Sequence, residues 1–143
     1  VLAVASPARP PHVEVRTDLA CRHLWLRGNE IQLSQMLLNL ILNAYHAMEP
    51  GGGTLTVATR PEGEFLCFQV SDTGSGISPE VLPHIFEPFF TTKESGKGTG
   101  LGLAIVQQVV EEHRGRVEVE AAPEGGAAFT VTFPITPREA EPD

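Results

Sequence analysis

Residues 31–48 read IQLSQMLLNLILNAYHAM, and the fold turns on how this run is read. At helical spacing it is apolar almost all the way round, as in a helix packed on several neighbours. Yet Gln32, Gln35, Asn39, Asn43 and His46 are spaced three, four, four and three apart, which sets them in one stripe along that helix. A solvated stripe more often carries lysine or glutamate, and this one has neither. Either the amides bond to neighbouring strands, or they face a polar ligand.

Outward from this helix, the chain alternates. "HVEVRT" (12–17) and "HLWLR" (23–27) read as strands, and Gly28–Asn29 breaks the pattern before the helix from Glu30 to Met48. "EPGGG" ends that helix. "TLTVATR" and "EFLCFQVS" form a strand pair across "PEGE". "SPEVLPHIF" reads as a short helix with Ser78 as cap and Pro79 in its first turn. The segment 87–100, EPFFTTKESGKGTG, has no period and reads as a mobile loop. "LGLAIVQQVVEEH" is a second long helix stopped by Gly115, and "RVEVEAA" and "AAFTVTFP" make a last hairpin across "PEGG". That order predicts an α+β fold, one sheet with helices on one face. Residues 1–11 read as a proline-rich linker, 12–135 as the domain and 136–143 as a polar, frayed tail.

With 143 residues, 41% hydrophobic and 20% charged, the chain suits one soluble domain with a proper core. No run is apolar enough to cross a membrane, and no secretory signal opens the chain. Cys21 and Cys67 lie in no metal-ligand spacing, and a reduced cytosolic chain is expected. A net charge of −8 argues against nucleic acid as a partner. The same acidity means that a polyphosphate would need local help from backbone N–H groups, a metal ion or a few placed lysines.

Two glycine-rich segments break strand and helix logic in the same way. "DTGSGIS" follows a strand, and "GKGTGLGL" opens the second long helix. A glycine turn feeding a helix start offers unpaired N–H groups and a positive dipole end, which suit phosphate. The common phosphate and nucleophile motifs are absent: no G-x-x-x-x-G-K-[ST], no Rossmann fingerprint and no G-x-S-x-G. Alone, the first segment also reads as a tight turn in which Asp72 satisfies its own backbone. The second also reads as a flexible linker.

Taken together, "NLILNA", "DTGSGI", "FEPFFTTK" and "GKGTGLGLAIV" occur in an order and at distances that resemble the ATP-binding domain of two-component sensor histidine kinases. This family shares a superfamily with gyrase-type topoisomerases and a heat-shock chaperone. The resemblance runs from about 29 to 134. It implies a two-layer Bergerat-type sandwich with a mixed sheet and a mobile lid over ATP. Asp72 would accept a hydrogen bond from the exocyclic amine of adenine, and Gly74, Gly76 and Ile77 would close on the base. Gly98, Thr99, Gly100, Leu101 and Gly102 would wrap the phosphates. Asn43 resembles the magnesium ligand, an oxygen donor of the kind Mg2+ takes.

Asn39 occupies the position where hydrolysing relatives carry a water-activating glutamate. An amide takes no proton at neutral pH, which favours phosphoryl transfer over hydrolysis. Lys93 and Lys97, the chain's only lysines, fall in the lid with Thr92 and could meet the phosphates or simply be solvated. Lys93 is grouped with Asn39 and Asn43 as catalytic. Phe86, Phe89 and Phe90 could line the lid or pack in the core. His46 stands where many family members have lysine, and is a nucleotide contact or a surface histidine. The family's G-T-x-F segment is "GGAAF" here, so Ala127 supplies no hydroxyl.

The family's phosphoacceptor histidine is usually followed by an acid. His12, His23, His46, His84 and His113 precede Val, Leu, Ala, Ile and Arg. The chain therefore reads as a monomeric, cytoplasmic catalytic module using ATP·Mg. Its partners are an upstream dimerisation and phosphoacceptor domain and, indirectly, a response regulator; the whole kinase can be membrane-anchored. A hydrolysing ATPase and a nucleotide-binding docking module are the competing classes.

Overall fold

The computed structural model describes residues 13–19, 30–49, 51–87, 102–122 and 125–134. The strand expected at 23–27 and the loop from 88 lie outside them, as do the two terminal segments. In chain order the elements are β1 (Val13–Leu19), α1 (Glu30–Ala47), β2 (Gly53–Glu62), β3 (Phe65–Ser71), a 3-10 turn (Leu82–His84), α2 (Gly102–Glu112), β4 (Arg116–Ala121) and β5 (Ala127–Pro134).

The five strands among the described residues form one mixed sheet in the order β1-β2-β3-β5-β4. β2, β3, β5 and β4 meet antiparallel, each neighbouring pair in register. β1 lies parallel to β2, because α1 lies between them in the chain and parallel neighbours need such a long return connection. Thr17, Val57, Val70, Phe129 and Val119 occupy one rung across all five strands. One residue along, Ala58, Gln69, Thr130 and Glu118 form the next rung on the opposite face. The first rung meets the helices, and Gln69 Nε2 donates to Thr130 Oγ1 on the second.

α1 packs against β2 and β3 with Met36, Leu40, Ile41, Ala44, Tyr45 and Met48 buried. α2 packs against α1 and β4 with Val106, Val109 and Val110. Both helices share one core with Leu55, Val70, Phe129, Val131 and Phe133. Each fully buried side chain of this size contributes about 2 kcal/mol. In the polar stripe of α1, Gln32, Asn39, Asn43 and His46 are half-buried and Gln35 is exposed. No helix among the described residues is long and apolar enough to cross a membrane.

Local sequence sets the element ends, with two departures from expectation. Gly115 closes α2, its N–H donating to Val110 O at 2.8 Å while Arg114 N–H donates to Glu111 O. The left-handed residue of this motif is Arg114, at φ 59, rather than the glycine. Gly115 is required for space, since a Cβ there would lie 2.7 Å from the Phe133 ring. The expected helix near Pro79 is a single 3-10 turn. Ser78 takes part through its carbonyl, which accepts the N–H groups of Val81 and Leu82. Cys67 is buried in β3.

Candidate functional site

Asp72 is the first residue to leave the sheet after β3, and the only buried charged or polar side chain among the described residues. Its N–H donates to Ala127 O at 3.0 Å, and its Oδ1 accepts the Gly74 N–H at 2.8 Å. Burial pushes the carboxyl above its usual range, and the backbone amides of Gly74 and Ala127 partly oppose that. The tight-turn reading of the sequence is thus correct for one oxygen. An ionised carboxylate has about four lone-pair sites, so capacity remains for a ligand donor.

The turn then folds back onto α1. Ser75 N–H donates to Ala47 O at 3.1 Å. A Cβ on Gly74 would run into the Ala47 carbonyl, and one on Gly126 would lie 2.6 Å from Asp72 Oδ1. These glycines let three backbones meet around one carboxylate. Gly76, at φ 76, lies over Gly126, and Ile77 packs half-buried against the core.

Asn39, Asn43 and Ala47 recur every four residues and so share one face of α1. At one end of that face, a Cβ on Gly102 would lie 3.9 Å from Asn39 Cγ. At the other end, Ala47 holds the Asp72 turn. Asn43 lies between them, half-buried, one helical turn from each. The start of α2, the two asparagines and Asp72 therefore border one stretch of α1.

The amide nitrogen of Asn39 is enclosed and has no hydrogen-bond partner. A buried donor left unpaired costs about 1–3 kcal/mol, so an acceptor arriving beside Gly102 would recover that. Gln32, Asn43 and His46 are half-buried and each interacts with another residue, whereas Gln35 is exposed. The stripe is therefore partly structural, as its first reading allowed.

Phe86 is half-buried with its ring edge-on to Phe129 at 6.3 Å, the core-packing arrangement. Ala127 is buried, and its carbonyl rather than a side-chain hydroxyl anchors Asp72. Thr92, Lys93, Lys97, Gly98, Thr99, Gly100 and Leu101 lie outside the described residues. A cavity of about 350 Å³ beside α2 is lined by Phe86, Ala104, Gln107, Gln108, Glu111 and Glu112. It shares no residue with Asp72 or Asn43, and its two carboxylates oppose a polyphosphate.

No group of three His, Cys, Asp or Glu gathers among the described residues to hold a metal. The donor that the sequence motif points to is the Asn43 amide oxygen, which would serve a cation that brings its other oxygens from a ligand and water. That suits magnesium, which is bound through one or two protein groups plus phosphate oxygens. Sequence reading missed Thr73 and Ala47. The first offers its hydroxyl to the Thr54 N–H at 3.0 Å, a contact visible only once the β2–β3 register is known.

The chain is similar to known proteins in both sequence and fold. A family profile described as histidine kinase-, DNA gyrase B- and HSP90-like ATPase matches residues 28–137. Sporulation kinase A of Bacillus subtilis is 41% identical over 120 residues, covering 84% of this chain and 19% of that protein. Sensor histidine kinase ZraS of Salmonella typhi is 44% identical over 115 residues, covering 80% and 24%. The chain thus spans only about a fifth to a quarter of these relatives' length. Among solved structures, a mycobacterial sensor histidine kinase MprB superposes with a TM-score of 0.83 at 30% identity, covering 95% of this chain and 91% of that one. The histidine kinase domain of the E. coli osmosensor EnvZ gives 0.69 at 29% identity, covering 99% and 87%. With its mixed five-strand sheet and Bergerat-type layering, the chain belongs to the histidine kinase-, gyrase B- and HSP90-like ATPase family, as the catalytic, ATP-binding domain of a sensor histidine kinase.

Proposed function

We propose that this domain binds ATP with Mg2+ along the Asn39–Asn43–Ala47 face and transfers the γ-phosphoryl group to a histidine on a dimerisation domain of the same kinase. From there the group passes to a response regulator. The observation that carries this reading is the shared border: one stretch of α1 meets the start of α2 at Asn39 and the Asp72 turn at Ala47. Asp72 accepts the adenine amine, with Gly74, Gly76 and Ile77 against the base. Gly102, with Gly98, Thr99, Gly100 and Leu101 before it, offers backbone N–H groups to the phosphates. Thr92, Lys93 and Lys97 meet the phosphates from the lid, with Phe86 at its root and His46 beyond Asn43.

Asn43 would hold the magnesium through its amide oxygen. The ion would supply neutralisation of the phosphate charge there. Asn39 donates its unpaired N–H to an oxygen of the ligand and cannot abstract a proton from water. The site therefore orients phosphate and stabilises its charge without supplying a base, and the nucleophile comes from the acceptor histidine. We place the domain, residues 12–135, on the cytoplasmic side, where ATP is supplied, acting as a monomeric unit within its kinase.

The test is labelling of a supplied acceptor domain by radioactive ATP. Transfer is expected with the unaltered chain and is expected to fall at least about a hundredfold in Asn43→Ala. Absence of labelling, together with rapid phosphate release that Asn43→Ala removes, would identify a hydrolysing ATPase instead.

A further inference from the structure

The β2–β3 ladder ends with Thr56 opposite Ser71. Two residues further along each strand, the same register would set Thr54 opposite Thr73, a rung of the same bonded or non-bonded class. The backbone has turned away by then, and the bond is made differently: Thr54 N–H donates to Thr73 Oγ1 at 3.0 Å. A side-chain hydroxyl thus replaces the carbonyl that a continuing strand would have offered. It keeps the Thr54 N–H satisfied while the chain leaves the sheet at Asp72. The contact needs close approach, since a Cβ on Gly53 would collide with that same oxygen.

We propose that Thr73 is a positioning residue that aims the Asp72 carboxylate, and thereby sets the preference of the site for an adenine base. The inference rests on the reading of Asp72 as the acceptor of the adenine amine. Asp72 is anchored at its own N–H by Ala127 O. On its far side the chain is tied by Thr73 to β2 and, through Ser75 N–H, to Ala47 of α1. Without the hydroxyl, the peptide after Asp72 loses its link to the sheet, and the carboxylate can swing about the remaining anchors. Phosphate contacts made by α1 and α2 do not depend on that link.

Inosine triphosphate separates these effects, because its base carries a carbonyl in place of the exocyclic amine. Titration calorimetry of the 143-residue chain with the magnesium complexes of ATP and inosine triphosphate gives two affinities and their ratio. The unaltered chain is expected to favour ATP by about tenfold or more. Thr73→Val should narrow that ratio severalfold, and Thr73→Ser, which keeps the acceptor, should preserve it. Equal weakening of both ligands in Thr73→Val, or a Thr73→Ser variant that behaves like it, overturns the proposal.

Asp72→Asn tests the underlying reading separately. If that variant still favours ATP, base recognition does not run through Asp72. If it loses the preference and Thr73→Val keeps it, Thr73 alone is wrongly assigned. Should Thr73→Val not fold, hydrogen exchange at the Thr54 amide of the unaltered chain decides. ATP·Mg must slow exchange there more than the inosine complex does, and equal slowing rejects the role.

Discussion

Gly74 in the turn after β3 and Gly63 at the tip of the β2–β3 hairpin are both required, for opposite physical reasons. Gly63 has a left-handed backbone, φ 63, and a Cβ added there would meet nothing within 4 Å. Gly74 is under no such angular demand, but its missing side chain is where the Ala47 carbonyl lies. The first glycine serves the path of the chain, and the second serves contact between elements. Only the second kind marks a place where helix, sheet and a buried carboxylate converge.

Substituting alanine at Gly74 is the strongest way to test that contrast. The added carbon would meet backbone atoms of α1, which cannot rotate aside as a flexible side chain can. We expect Gly74→Ala to cost about 3 kcal/mol in urea unfolding, at the upper end for overpacking. Nucleotide binding should be lost even where the variant still folds, because Asp72 and Asn43 are held in relation to each other through this contact. A variant that unfolds normally and binds ATP as before would dissolve the distinction between the two glycines.

A middle-sized effect concerns pH. Burial raises the Asp72 carboxyl above its usual value of 3.8, so its protonated form suits the folded, ligand-free domain better than its charged form. Its contribution to stability is therefore fully present below 3.8 and is lost as pH rises through the higher folded value. On the proposed reading the charged form is the stronger acceptor for the adenine amine, so ATP affinity should run the other way and fall as pH drops through that value. Parallel measurements of unfolding free energy and ATP dissociation constant against pH would check this. Asp72→Asn should remove this one contribution from the unfolding profile. Affinity and stability falling together on acidification would place the controlling titration elsewhere.

The elements were legible because each is locally consistent. Alternation marked β2, β3, β4 and β5, and the apolar run with its polar stripe marked α1. The parallel pairing of β1 with β2 was not written in either strand; it follows from where α1 returns the chain. The left-handed position at Arg114 was hidden because the neighbouring Gly115 offered the more familiar explanation, although space against Phe133 is what that glycine supplies.

In the proposed site, Asp72 and Asn43 were singled out by residue type and motif order. Thr73 was not, because its role depends on a register between two strands and a hydroxyl standing in for a backbone carbonyl. Ala47 acts through its carbonyl, which no side-chain pattern records. Contacts that reside in backbone geometry are the ones a sequence conceals.

The smallest expected effect completes the contrast and isolates the angular term. At Gly63, alanine keeps the open surroundings and changes only the backbone's tolerance for positive φ. A left-handed non-glycine residue costs about 1–2 kcal/mol, partly offset by the smaller entropy of the unfolded chain. Gly63→Ala should therefore lose about 1 kcal/mol, and Gly63→Asn, which tolerates this region better, only a few tenths by the same reasoning. Neither should change the ATP dissociation constant, since the hairpin tip lies at the opposite end of β2 and β3 from Thr54 and Asp72. A shift in affinity at Gly63 would mean that the ladder transmits strain along its whole length. The separation between a turn that shapes the chain and a turn that builds the site would then fail at its weakest point.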